Sequence, residues 1–267
     1  MTNHSSHDQS LRSRIVLITR PATQQQGLQR LIEGAGGVAV GLPLIEIQAL
    51  PVSELQAAKS AIENLDHYNV VIFISSNAAH FGAEIINDFW PQFPVGVDVI
   101  AIGDTTARAV TSLLDCSVIS PAQGSDSEAL LQLPELQHVN EKKIAIIRGV
   151  GGRELLAQEL TDRGAAVQYI EVYKRNFVNY SKQELNSALI DSGCTAITVH
   201  SGESLKQLLA LSGHNIAATT GLPLVVPSPR IAEQAREAGF SEVEIAQGAS
   251  DSAMFTALQK LTKNADN

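Results

Sequence analysis

Short apolar runs alternate with amphipathic stretches along nearly the whole chain. Ile15–Thr19, Val38–Leu42, Val70–Ile74, Val97–Ile102, Cys116–Ile119 and Ile144–Ile147 are four to six residues long and almost continuously apolar, as buried strands are. Residues 195–199, 223–226 and 243–246 repeat this near the C-terminus. Between them lie helical patterns at Thr23–Gly34, 53–65, Asp104–Leu114, Ser127–Leu133, Arg153–Arg163, 181–191, 203–211, 229–238 and 251–262. In the second of these, Leu55, Ala58, Ile62 and Leu65 fall near helical spacing. Pro134 breaks the fourth, and Gly164 closes the fifth. Buried strands separated by helices predict an α/β protein with parallel sheets.

The pattern repeats itself in permuted order. A long segment runs from Val70 through Ser75 and Gly103-Asp104-Thr105 to Ser125, and a second from Ala196 through Ser201 and Pro227-Ser-Pro-Arg230 to Ser250. Ser75 to Ser125 spans 50 residues, and Ser201 to Ser250 spans 49. A shorter strand–helix–strand piece also occurs twice. Arg20 to Val38 spans 18 residues, and Arg148 to Val167 spans 19. Each lobe needs one piece of each kind, and mid-chain the long piece comes first. The economical topology is a discontinuous domain, 1–42 with 176–267, and an inserted domain, 50–166. Extended crossings at 43–49 and 167–175 join them. Two similar lobes imply a cleft between them.

Length and composition agree with two soluble domains: 267 residues, 44% hydrophobic and 18% charged. The net charge of −9 disfavours a general nucleic-acid or anionic-membrane surface, and 4% aromatic residues leave little for stacking on bases. No run approaches a membrane span. The polar start, Met1 to Ser10 with His4, His7 and Asp8, is no secretion signal and reads as a frayed tail. Cys116 and Cys194 read as reduced thiols. These features predict a cytoplasmic protein.

In parallel α/β sheets, ligands bind beyond the carboxyl ends of the strands. The turns expected there contain Arg20, Ser75 with Asn77, Thr105, Arg148 to Arg153, Ser201 with Gly202, and Ser228 with Arg230. Helix N-termini and glycine-rich backbone suit anions. Taken singly, each turn is better explained by plain helix N-capping, and the case for function comes from several turns pointing at one cleft. Arg148-Gly149-Val-Gly151-Gly-Arg153 matches neither phosphate-binding fingerprint, which argues against a nucleotide-dependent transferase. Arg148 and Arg153 would either pair with surface carboxylates or hold an anion. Tyr173 would either anchor a crossing or supply a phenol for chemistry. His200 beside Ser201 is no catalytic dyad, because neighbouring strand residues point to opposite faces. His67, His80, His138 and His214 lack metal spacing, so no metal site is expected.

The turns around Ser75, Asp104 and Arg148-Gly-Val-Gly-Gly-Arg-Glu-Leu resemble, in order and spacing, those of the uroporphyrinogen-III synthase family. Glu171-Val-Tyr-Lys-Arg, Ser201, Val226-Pro-Ser-Pro-Arg230 and Ala249-Ser-Asp251 extend the resemblance over about residues 13–260. It departs at His200, where the family often has Phe or Thr, and at the Pro-Ser-Pro turn. The resemblance implies two flavodoxin-like parallel-sheet domains joined by a two-stranded linker. It further implies an enzyme that cyclises hydroxymethylbilane to uroporphyrinogen III, inverting ring D with loss of water, in heme and siroheme synthesis. No cofactor is implied. By matching the family tyrosine, Tyr173 is the expected catalytic group. Arg20, Ser75, Asn77, Thr105, Arg148, Gly149, Gly151, Arg153, Ser201, Gly202, Ser228 and Arg230 are the expected binders of a linear tetrapyrrole. A monomer is expected, with possible handover of substrate from hydroxymethylbilane synthase and with neither nucleic acid nor membrane as partner. The rival reading is a two-lobed tetrapyrrole-binding or regulatory module without catalysis.

Overall fold

The computed structural model describes residues 10–265. The stretch carrying His4, His7 and Asp8 lies outside the described residues, as does the side chain of His214. The chain opens with β1 (Ile15–Ile18), α1 (Gln26–Gly34), β2 (Val38–Gly41), β3 (Ile45–Ala49) and α2 (Gln56–Glu63). It continues through β4 (Val70–Phe73), α3 (Ser76–Phe89), β5 (Asp98–Ala101), α4 (Asp104–Leu114) and α5 (Ser127–Leu130). Next come β6 (Lys143–Gly149), α6 (Leu155–Asp162), β7 (Ala166–Phe177) and α7 (Lys182–Asn186). The last third holds β8 (Ala196–Thr198), α8 (Gly202–Ser212), α9 (Ile216–Thr220), β9 (Leu224–Val226), α10 (Pro229–Glu237), β10 (Val243–Ile245) and α11 (Asp251–Ala265).

These elements form two compact units. One takes the chain up to Glu46 together with Asn176 onward; the other is Ile47–Arg175. The first unit's sheet has the order β10-β9-β8-β1-β2, all pairs parallel. This is the flavodoxin-like order, with the first strand next to one edge and the chain winding both ways from it. The second unit's sheet is β3-β7-β6-β4-β5, with β7, β6, β4 and β5 parallel. There β6 and β7 occupy the places of β1 and β2, and β4 and β5 those of β8 and β9. The repeat seen in the sequence is therefore one sheet wound from two starting points.

Each sheet is buried by helices because its strands are apolar on both faces. Val70, Val71, Ile72 and Phe73 of β4 are all fully buried. They split between two cores: Val71 and Phe73 pack with Ala78, Ala79 and Ile86 of α3, while Val70 and Ile72 pack with Leu156 and Leu160 of α6. Burying each such side chain stabilises by about 1.5–3 kcal/mol, so a charge at Ile72 would break the sheet. In the first unit Leu17 and Ile197 face one core, and Val16 and Val225 face the other, under α11.

The elements differ from the sequence expectation in several places. Cys116–Ile119 does not run as a strand and makes one parallel bridge, Ile119 to Ile100. The helix expected at Ser127–Leu133 stops at Leu130, and a 3-10 turn follows with Pro134 in its first position. Helix α6 begins at Leu155, past the glycine turn. Helix α9 has no periodic apolar signal, because its buried residues are Thr219 and Thr220.

Candidate functional site

At the carboxyl end of β4 the chain turns into α3 at Ser75. Its extended backbone (φ −169°, ψ 161°) makes it the N-cap, and its hydroxyl accepts the Ala78 N–H at 3.0 Å. The Ser75 hydroxyl also lies 3.2 Å from the Tyr173 hydroxyl. Tyr173 is on β7 and only 2% exposed. Its ring stacks on Phe81 of α3 with centroids 5.6 Å apart, and the Arg175 guanidinium donates to its oxygen at 3.5 Å. Gly149, its register partner at the end of β6, lets the ring lie flat over the strand end. A Cβ there would stand 2.6 Å from two ring carbons.

Arg148 is 3% exposed and pairs with no carboxylate among the described residues. Its Nε donates to the Gly149 carbonyl at 3.1 Å, and Nη2 donates to the Gly151 carbonyl. Its guanidinium lies 4.4 Å above the centre of the Tyr169 ring. The loop after β6 is therefore folded around its own arginine. Gly152 (φ +103°) adopts a conformation few side chains tolerate, and a Cβ on it would meet Arg148 Nη2 at 2.8 Å. The Gly151 N–H donates to Glu171 at 3.3 Å. Arg153 is exposed and only 3.8 Å from Glu128, an ion pair of little energetic weight. Arg148, Gly149, Gly151, Arg153, Tyr169, Tyr173 and Arg175 line a cavity of about 330 Å³, with Ser125 to Ser127 opposite.

Of the expected site residues in this unit, the structure gathers Ser75, Tyr173, Arg148, Gly149, Gly151 and Arg153. Asn77, half-buried, and Thr105, exposed, sit in the first turns of α3 and α4 and do not line the cavity. Tyr169 and Arg175 were not among the expected residues. Arg175 lies two residues beyond Tyr173 on β7, but Tyr169 packs against the other core, and the register shift after Arg148 interrupts the alternation between it and Tyr173.

The first unit carries its own set of turns. Arg20 follows β1, pairs with Asp251 of α11, and offers its carbonyl to Gln25 at 2.8 Å. Ser201 caps α8, accepting the Ser204 N–H at 3.1 Å as Ser75 does for α3. A Cβ on Gly202 would come within 3.7 Å of Arg230 Nη1, so the turns after β8 and β9 adjoin. Ser228 is the N-cap of α10 but makes no capping hydrogen bond, and Pro229 fills the first helical position. Both nitrogens of His200 are buried without a hydrogen-bond partner among the described residues. Burial, and then the Arg20 charge, push its pKa from 6.5 down to about 3, so the imidazole is neutral. Among the described residues, no three metal-ligating side chains cluster, and no helix is long and apolar enough to cross a membrane.

Fold and site together define a class: a two-unit flavodoxin-like α/β protein whose strand ends present hydroxyls, amides and arginines, a donor set suited to an anionic ligand. Comparison with known proteins narrows it. A family model described as uroporphyrinogen-III synthase HemD matches residues 26–256. The chain is 36% identical over 246 residues to the uroporphyrinogen-III synthase of Salmonella typhimurium, covering 91% of this chain and 99% of that protein. It is 34% identical over 249 residues to that of Escherichia coli, with the same coverages. A uroporphyrinogen III synthase structure from Thermus thermophilus superposes with a TM-score of 0.60 at 15% identity, over 95% of this chain and 99% of the other. One from Helicobacter pylori does so with a TM-score of 0.56 at 16% identity, over 93% and 99%. The chain belongs to the uroporphyrinogen-III synthase family.

Proposed function

We propose that this chain closes linear hydroxymethylbilane to uroporphyrinogen III, inverting ring D and releasing water, as a step of heme and siroheme synthesis. One observation carries the residue assignment. The Tyr173 hydroxyl is held at the cavity wall by Ser75 and receives a hydrogen bond from Arg175. Ser75 has one acceptor position taken by the Ala78 N–H. When the Ser75 hydroxyl donates to the Tyr173 oxygen, the phenolic hydrogen is free to point at substrate. Tyr173 then donates to the departing ring A hydroxyl, which leaves as water. The resulting azafulvene cation is attacked by the substituted carbon of ring D, giving a spiro-pyrrolenine. That species fragments and recloses at the free carbon of ring D. Loss of the hydrogen on that carbon restores the pyrrole and returns the proton, so water is the only by-product.

The substrate carries eight carboxylates and the protein a net charge of −9, so recognition falls to local donors. We assign it to Arg20, Ser75, Asn77, Thr105, Gly149, Gly151, Arg153, Ser201, Gly202, Ser228 and Arg230. Arg148 acts by shaping the loop that bears the glycines. Much of the rate advantage is positional, because unassisted closure gives the non-inverted isomer and the fold must hold the bilane in the pose that reaches the spiro state. On this reading the enzyme works in the cytoplasm as a monomer, and hydroxymethylbilane passes to it by transient handover from hydroxymethylbilane synthase. The test couples that synthase to the purified protein and separates the isomers by chromatography. Isomer III is expected. Isomer I alone would leave only a tetrapyrrole-binding module.

A further inference from the structure

The cavity beside the Arg148 loop holds a polar atom that nothing nearby satisfies. The Tyr169 hydroxyl is buried and has no hydrogen-bond partner among the described residues, although its ring lines the cavity. Native proteins rarely leave a buried hydroxyl unpaired, because desolvating it costs free energy that only a hydrogen bond returns. The ring is also fixed in place, since Arg148 covers its face at 4.4 Å and is itself tied to two loop carbonyls.

The other groups around the cavity favour negative charge. Helix α6 starts here, and its N-cap, Glu154, makes no side-chain capping bond, leaving first-turn N–H groups without intrahelical acceptors. Arg153 and Arg175 line the same space. Of the acids nearby, Asp126, which lines the cavity, accepts the Ala129 N–H at 2.8 Å, Glu171 accepts that of Gly151, and Glu128 lies 3.8 Å from Arg153.

We propose that this cavity seats one carboxylate arm of the tetrapyrrole, with the Tyr169 hydroxyl donating to it and Arg153 and the start of α6 completing its surroundings. The inference rests on the function proposed above and gives Tyr169 a binding role, not a catalytic one. A free phosphate ion has the same acceptor chemistry, so the experiment includes it.

The test compares the wild-type protein with Tyr169→Phe, which removes one oxygen atom and keeps the ring under Arg148. Thermal unfolding of the free proteins should show Tyr169→Phe as stable as the wild type or more so. Calorimetric titration should show uroporphyrin III binding weakened about tenfold, the loss expected of one hydrogen bond to a charged group. KM for hydroxymethylbilane should rise while kcat stays within about twofold. Arg153→Gln should likewise weaken binding without lowering thermal stability. A lower unfolding temperature for Tyr169→Phe would mean the hydroxyl has an internal partner and would overturn the proposal. So would unchanged uroporphyrin III affinity, including the case where only inorganic phosphate binding is lost. A wild-type protein that yields isomer III beside an unaffected Tyr169→Phe defeats this inference alone. A wild-type protein yielding only isomer I defeats the proposed function.

Discussion

Replacing Gly149 with alanine should disable the enzyme through one methyl group. The added carbon would lie 2.6 Å from Cε2 and Cζ of Tyr173 and 3.1 Å from Cδ2. Carbon atoms rest at about 3.5–4.0 Å, so the ring has to withdraw by about 1 Å. Phe81 is stacked against it, and β6 and β7 are paired on either side of the contact, which limits the ways out. The hydroxyl moves with the ring. Its 3.2 Å contact with Ser75 would stretch to about 4 Å, beyond any hydrogen bond. Overpacking of this kind costs about 1–3 kcal/mol of stability. Misplacing a catalytic group by about 1 Å can cost 100-fold in rate, so kcat should fall about 10- to 100-fold. The coupled assay reads this as slower isomer III and more isomer I from unassisted closure. Combining Gly149→Ala with Tyr173→Phe should cost little more than the worse single change, since both act on one hydroxyl. A fully active Gly149→Ala protein with unchanged thermal stability would refute the reasoning. So would effects that multiply in the double variant.

Tyr173→Phe alone should lower kcat about tenfold or more without abolishing turnover, because positioning survives the loss of one donor; an unchanged initial rate removes Tyr173 from the mechanism. His200 should make the protein acid-sensitive. Below pH 6.5 the unfolded chain protonates this imidazole, while the native protein refuses the proton down to about pH 3, so stability falls as pH drops through that window. At pH 5 the difference is about 2 kcal/mol; urea titrations at pH 7.5 and 5.0 should show His200→Phe losing that much less than the wild type, and equal losses would contradict the burial. Asp251→Ala should destabilise by about 1–2 kcal/mol, since it strips the partly buried Arg20 of its partner and the first turn of α11 of its acid; an unchanged urea midpoint would show the pair to be inert.

The sheets were legible because their strands are apolar on both faces, so runs such as Val70–Phe73 stand out without any need for periodicity. The permuted winding was legible because two pieces of fixed length recur. Elements lying at an edge were harder. Ile119 touches its sheet at one point, and α9 buries threonines whose hydroxyls bond the preceding turn or neighbouring side chains. The site splits the same way. Ser75 and Ser201 were readable as caps because the cap chemistry is local. The role of Arg148 was not, because its partners are backbone carbonyls, which every sequence has. Nor was the isolation of His200, whose electrostatic neighbour Arg20 is 180 residues away in the chain. Arg175 could have been found by counting two on from Tyr173, but Tyr169 could not, because the β-bulge between Glu171 and Tyr173 breaks the alternation.

The way the strands are shared along the chain bears on synthesis. The second unit, Ile47–Arg175, is one continuous stretch, and its sheet can assemble as soon as it clears the ribosome. Strands β1 and β2 emerge earlier but must wait: β1 lies between β2 and β8, and Val16 pairs with Ala196. For the time needed to translate some 150 residues, the nascent chain carries a β1–α1–β2 piece whose β1 edge still lacks its β8 partner. A pause or truncation in that interval would release a half-folded product with an open sheet edge, the kind of intermediate that chaperones and proteases intercept.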